Sequence, residues 1–204
     1  MLTVSPFDTR ERLAFFIDGA NFYQTTRALN IDVDYRRVLD EFVGDAYLLR
    51  AYYYTALAED QEFSSLRPLI DWLDYNGFQV TTKPMRDYTD NQGNKRRSRP
   101  SLDVDLAVDA LGLCDQVNHI VLFTGDGNFV PLVDAIQRQG CKVSIISSLK
   151  TNPSMVSDDL RRQADHFLEL ATLADLVGRG EAGRGSRRAF DVGGMDDDDG
   201  YDDD

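Results

Sequence analysis

Histidine and cysteine are almost missing from this chain, which holds two of each in 204 residues. His119 and His166 lie far apart, and each stands directly before an apolar run. That placement suits strand starts and argues against a histidine-based catalytic triad. Cys114 and Cys141 lack metal-ligand spacing and sit in or beside apolar segments, so they are expected as reduced core residues of a cytoplasmic protein. No apolar run approaches the roughly 20 residues of a membrane-spanning helix. The opening stretch, "MLTVSPFDTRER", carries charge where a secretory signal would carry its apolar region. Basic residues are in deficit as well: 22 Lys and Arg stand against 35 Asp and Glu, for a net charge of −13. Such a chain is not a general clamp for polyanions, and any nucleic acid must be handled by a local patch.

The acidic excess is unevenly spread. From Gly178 onward the chain reads "GRGEAGRGSRRAFDVGGMDDDDGYDDD", with nine acids, four arginines and almost no apolar content. That composition cannot bury enough surface to offset ordering entropy, so residues 178–204 are expected to form a disordered acidic tail behind a domain of residues 1–177. A basic patch does exist within the domain. "KPMRDYTDNQGNKRRSR" contains Lys83, Arg86, Lys95, Arg96, Arg97 and Arg99 around an Asn-Gln-Gly-Asn centre. The centre is turn chemistry, so a hairpin-like excursion or a loop is expected there. The charges are either a solvated run or a contact surface for a nucleic-acid backbone.

Hydrophobic residues make up 42% of the chain, enough for one sizeable core. Their pattern alternates between short apolar runs and helical periodicity. Strands are expected in "RLAFFIDG", "AYLLRAYYYTAL", "FQVTTKPM", "HIVLFTGDG" and "KVSIISS", with "FLELATL" a last strand or extended segment. Helices are expected over about 21–29, 35–42, 61–77, 101–114, 129–140 and 155–165. Near-continuous apolar strands separated by helices indicate a three-layer α/β/α domain with a mainly parallel central sheet. In such sheets ligands bind beyond the carboxyl ends of the strands, where the strand order reverses.

Two aspartates are placed for that position. Asp18 ends the apolar run of "FFIDGANF" and Asp126 ends that of "IVLFTGDGNF". A third acidic group, "LDVDLAVDAL", reads as a helix whose apolar stripe holds Leu106, Ala107, Ala110 and Leu113. Asp103 falls within that stripe, as a cap or a site residue, whereas Asp105 and Asp109 fall opposite it and are by default solvated. Bringing Asp18, Asp103 and Asp126 together would create strong like-charge repulsion. A hard divalent cation relieves it, and carboxylate-plus-water coordination suits Mg²⁺ or Mn²⁺.

The segments "FIDGANF", "DVDLAVDAL" and "VLFTGDGNFVPLVDAIQRQG" together resemble the NYN domain, in its bacterial LabA-like branch. The resemblance runs from about Leu13 to Leu176 in order and spacing. It implies a Rossmann-like, PIN-like fold and metal-dependent cleavage of phosphodiesters, with RNA as the substrate. It also implies that Asp18, Asp103 and Asp126 are the catalytic, metal-binding carboxylates, with Asn21 supporting the first strand turn. Two positions depart from the family pattern. Asn128 stands where an acid usually ends the second signature, which removes one negative charge. Pro100-Ser101 stands where Lys-Gly commonly precedes the middle acid.

On this reading a water activated by the metal attacks the phosphodiester. Asp105, Thr124 and Asn128 support the site, although Thr124 is equally explained as an ordinary strand-end residue. Ser147 and Ser148 are expected near the same rim, within reach of phosphate. Tyr52, Tyr53 and Tyr54 are expected to pack in the core, and Phe22 and Phe129 to anchor the turns beneath the site. A second reading keeps the fold and binds RNA or protein without cutting, and a homodimer or protein partner is left open. Aspartyl phosphatase chemistry fits poorly, because Ala20 stands where a second acid would be needed.

Overall fold

The computed structural model describes residues 7–57, 66–89 and 95–179. Its centre is a six-stranded sheet in the order β3-β2-β1-β6-β7-β8, with every neighbouring pair parallel. The strands are β1 (Arg12–Asp18), β2 (Tyr47–Leu57), β3 (Phe78–Pro84), β6 (His119–Phe123), β7 (Lys142–Ser147) and β8 (His166–Glu169). A separate antiparallel pair, β4 (Arg86–Thr89) and β5 (Lys95–Ser98), forms the hairpin suggested by the basic segment. Helices α1 (Gly19–Ala28), α2 (Tyr35–Val43), α3 (Arg67–Tyr75) and α7 (Ala174–Val177) contribute Phe22, Val38, Phe42, Leu73 and Val177 to one core layer. Helices α4 (Asp103–Gly112), α5 (Val130–Arg138) and α6 (Asp158–Gln163) supply Leu106, Ala110, Leu132, Ile136 and Leu160 to the other.

The strand sequences explain why both faces are covered. In β1, Leu13, Phe15 and Ile17 enter the first layer, while Ala14 and Phe16 enter the second. Ile120 and Leu122 alternate with Val121 and Phe123 in the same way along β6. The period of two is present, but both faces are apolar, so the run looks continuous in sequence. The three tyrosines obey the same rule: Tyr52 and Tyr54 stack beside Phe16, and Tyr53 packs on the opposite face. Core packing is therefore their place, as expected.

Helix lengths differ from expectation where local capping cuts in. The helix expected over 155–165 begins only at Asp158, because the Ser157 side chain accepts the Leu160 N–H and fixes the first turn there. The helix expected over 61–77 covers Arg67–Tyr75, and residues 58–65 lie outside the described set. "FLELATL" divides into the end of β8 and a 3₁₀ turn, with α7 beginning directly after it. At the other end, Arg179 N–H bonds Asp32 O and Arg37 Nη1 bonds Gly178 O. The domain's contacts thus run two residues past 177, and the acidic residues from 180 onward lie outside the described set.

His119 and Cys141 show that the rare residue types are structural. Cys114 and Cys141 are free and buried. His119 starts β6 at the amino edge of the sheet, fully enclosed, with Nδ1 2.9 Å from Glu11 Oε2 and Nε2 2.8 Å from Ser144 Oγ. The carboxylate requires Nδ1 to donate, so the neutral ring accepts the Ser144 hydroxyl at Nε2. Lys142 Nζ closes the network on Glu11 Oε1 at 2.7 Å. Burial pushes the His119 imidazole below its ordinary pKa, more than Glu11 pulls it up. Burial also pushes Glu11 up, but bonds from Lys142 and His119 bring it below the usual glutamate value. Both folded pKa values lie below the unfolded ones, so the stability they confer is present above those unfolded values and lost as pH falls through the folded ones. The melting temperature is expected to decline as pH drops below 6.5, with a further decline below 4.5. Thermal melts between pH 7.5 and 4 check this. His119→Asn should flatten the upper part of the profile, and a flat profile in the parent would contradict the assignment.

Candidate functional site

The strand order reverses between β1 and β6: the chain adds β2 and β3 on one side and β7 and β8 on the other. Asp18 ends β1 at this point, and Thr124, Gly125 and Asp126 follow β6 beside it. Both apolar runs end in an aspartate for the same local reason. Asp18 has extended backbone and its Oδ1 accepts the Asn21 N–H at 3.2 Å, capping α1 without an intervening loop. Asp126 does the same for the following 3₁₀ turn (Gly127–Phe129), its Oδ1 accepting the Asn128 N–H at 2.8 Å. The two turns are sequence-local devices, and capping alone accounts for an Asp at each.

Capping does not account for what surrounds them. Thr124 is buried, and its Oγ1 donates to Asp18 Oδ2 at 3.1 Å while accepting the Asp126 N–H at 3.2 Å. One hydroxyl thus joins the two aspartate turns. Asn21 Oδ1 accepts the Gly125 N–H at 2.9 Å, a second brace between α1 and the β6 turn. Asn128 also brings its Nδ2 to Asp126 Oδ2 at 3.4 Å, so both oxygens of that carboxylate face groups of Asn128. An acid at position 128 could not donate in this way.

Asp18 is held against its own charge. Burial raises its pKa, the bonds from Asn21 and Thr124 lower it, and the carboxylates of Asp103 and Asp126 raise it again. The net direction is upward despite the two bonds. A cap gains nothing from facing two further carboxylates. Asp103 reaches this rim as the first residue of α4; Leu102 is the cap residue, so Asp103 is not the cap that the helix pattern allowed.

The other two acids of α4 lie elsewhere, and neither is solvated in the manner expected. Asp109 accepts the Tyr54 hydroxyl at 2.8 Å, and burial together with this bond raises the tyrosine pKa. Asp105 pairs with Lys83 Nζ, which also donates to Ser101 O at 3.2 Å. Lys83 is therefore engaged with α4 rather than presented with the other basic residues, and Asp105 is its counter-ion. Arg86 and Arg99 are exposed; Lys95, Arg96 and Arg97 occupy β5. Ser147 and Ser148 do not reach a phosphate rim: both are enclosed. Ser147 Oγ donates to Met155 O at 3.3 Å, and Ser148 Oγ accepts the Lys150 N–H at 2.9 Å. Phe22 and Phe129 are buried under the two turns, as expected.

Two glycines let these turns close. A Cβ on Gly19 would stand 2.7 Å from Tyr54 O, and one on Gly125 would stand 1.7 Å from Met155 O. The backbones of β2 and of the 155–157 segment therefore fix what can follow Asp18 and precede Asp126.

Among the described residues no three His, Cys, Asp or Glu side chains are grouped closely enough to hold a metal by themselves. The donors at the rim are carboxylate oxygens, hard and few. Mg²⁺ keeps several waters and is commonly held by one or two carboxylates together with substrate phosphates, so this donor set fits an ion that arrives with its substrate. The excess negative charge around Asp18 fits it too.

Comparison with known proteins agrees with the geometry. The NYN domain family matches residues 12–171. The "Low amplitude and bright protein LabA" of Synechococcus elongatus is 30% identical over 173 residues, covering 83% of this chain and 89% of the relative. A crystal structure of a protein of unknown function from Vibrio parahaemolyticus superposes with a TM-score of 0.63 at 26% identity, covering 80% of this chain and 95% of that one. No helix among the described residues is long and apolar enough to cross a membrane.

Proposed function

The chain belongs to the NYN domain family, in its LabA-like branch, and from that premise we propose that it is a metal-dependent ribonuclease. The observation that carries the reading is the charge of Asp18, half-buried at the strand-order reversal and facing Asp103 and Asp126. A protein has little reason to keep that repulsion unless a cation relieves it. Asp18 and Asp126 would hold Mg²⁺ or Mn²⁺ together with the substrate phosphate, with Asp103 a direct or water-mediated third partner. Such an ion supplies acidity to a neighbouring water and neutralises charge building on the phosphate oxygens. Thr124 holds the two carboxylate turns in one geometry, Asn21 braces the loop between them, and Asn128 orients Asp126. The basic hairpin guides the RNA backbone toward this rim.

A second reading, an RNA- or protein-binding regulator that does not cut, draws on one observation. Both oxygens of Asp126 already face donors of Asn128, so an ion must compete for them. Labelled single-stranded and structured RNA incubated with Mn²⁺, Mg²⁺ or a chelator separates the readings. Cleavage that requires the ion is expected. In parallel, thermal melts with Mn²⁺ should rise for the parent and barely respond in Asp126→Asn, because only an ion bound to the folded state stabilises it. Equal responses in the two proteins would remove Asp126 from the ligand set. RNA bound and never cut with any ion would leave the regulator.

A further inference from the structure

We propose that Tyr88, on the β4–β5 hairpin, is a stacking platform for a base of single-stranded RNA, placed on the carboxyl side of the sheet beyond β3, two strands from the one that ends in Asp18. The inference rests on the ribonuclease reading and adds to it the substrate's form. The hairpin leaves the sheet where β3 ends: Pro84 closes β3, Met85 N–H bonds Leu57 O at 2.6 Å, and β4 begins at Arg86. β5 ends at Ser98, and five residues later Asp103 opens α4. The ribbon therefore stands at the same edge as Asp18 and Asp126, and its returning strand leads into the third carboxylate.

Within the ribbon, Tyr88 pairs with Arg96 and Arg86 with Ser98. Directly opposed residues, and residues two apart, share one face of an antiparallel pair, so Arg86, Tyr88 and Arg96 occupy positions on one face. Tyr88 is half exposed, at 50%. Two other tyrosines among the described residues are more exposed still, but both lie at the opposite edge. Tyr47 opens β2 under Arg12, and Tyr75 ends α3 ahead of β3. Among the described residues Tyr88 is thus the half-exposed tyrosine on the carboxyl side of the sheet. An aromatic face between cationic positions is how proteins hold single strands, stacking on any base while the charges track the backbone. A duplex keeps its bases paired and stacked and offers no such face.

The plainer role for Tyr88 is to stabilise the ribbon, since tyrosine favours strands and pairs well across them. Substitutions separate the two roles: Tyr88→Val keeps strand preference and loses the aromatic face, whereas Tyr88→Phe keeps both. Binding is measured by fluorescence anisotropy with a labelled oligo(A) of about 16 nucleotides and with an RNA duplex, in chelator so that nothing is cut. Tyr88→Val is expected to weaken single-strand binding roughly 5- to 150-fold, with duplex binding unchanged. Tyr88→Phe should bind like the parent. The slope of log affinity against log salt should stay the same in Tyr88→Val and flatten in Arg96→Gln/Arg97→Gln, because only the arginines release counterions. Single-strand binding by Tyr88→Val equal to the parent, with the arginine variant weakened, would overturn stacking and leave the RNA reading intact. A parent that binds neither RNA would overturn both.

Discussion

Replacing Asp18 by asparagine is expected to abolish RNA cleavage and to raise the melting temperature together. Asn caps a helix about as well as Asp, so the bond from Asn21 N–H survives. What disappears is a half-buried negative charge that partial desolvation, Asp103 and Asp126 all disfavour. The folded pKa of Asp18 is raised, so its stability contribution is fully present below the unfolded value of 3.8 and is lost as pH rises through the folded value. At neutral pH the parent carries the full cost and the variant carries none. A gain of about 1 kcal/mol would raise the melting temperature by roughly 2–4 °C for a chain of this size. Cleavage should fall by at least about 100-fold, because the ion's several kcal/mol of charge stabilisation goes with its ligand. The gain in stability should shrink toward pH 4, where the parent's carboxyl begins to protonate. A variant less stable than the parent that still cuts RNA would refute the assignment on both counts.

The opposite outcome is expected for Gly125→Ala. The added Cβ would lie 1.7 Å from Met155 O and 2.7 Å from Ser147 Oγ. A carbonyl of the main chain cannot turn aside as a side chain does, and this one is pinned on both sides. Met155 N–H bonds Ser148 O at 3.1 Å, and Ser157 N–H bonds Gly125 O at 2.9 Å. The turn must therefore move, taking with it the Gly125 N–H to Asn21 bond and the position of Asp126. Overpacking of this kind costs about 3 kcal/mol, or roughly 6–12 °C in melting temperature. Metal response and cleavage should both be lost even where the variant remains folded. Gly112→Ala is the matched control: its Cβ would meet nothing within 4 Å, and the same chemical change should be neutral or slightly stabilising. Equal melting temperatures for the two variants would mean that the Met155 approach is not rigid.

The parts of this structure legible in the sequence were those that depend on neighbours along the chain. Apolar runs of strand length, helical stripes and the two strand-ending aspartates are local patterns, and they located the strands, the flanking helices and two carboxylates at carboxyl strand ends, but not the order of the strands. Asp105 and Asp109 were misplaced because a helical wheel knows the apolar stripe of α4 but not which long side chains rise from the sheet beside it. Lys83 from β3 and Tyr54 from β2 reach past the stripe and engage both acids, which stay half-buried. Ser147 and Ser148 failed for a similar reason: a strand end looks open until the 155–157 segment closes over it. The braces from Thr124 and Asn21 join groups 106 and 104 positions apart, and no periodicity reports such pairs.

The reversal of strand order also sets when the acidic rim can exist during synthesis. The ribosome delivers β1, β2 and β3 first, and this half-sheet carries Asp18 alone, with one edge of β1 still waiting for β6. Asp103 emerges after the hairpin, and Asp126 only once β6 has been made. A nascent chain stalled before that point therefore holds a cap and an incomplete constellation: Asp18 lacks both the Thr124 hydroxyl and the Asp126 carboxylate. The second half of the chain makes the rim by docking β6 on β1. Any damaging reactivity of the rim toward the message being translated is thereby deferred until most of the domain has left the ribosome.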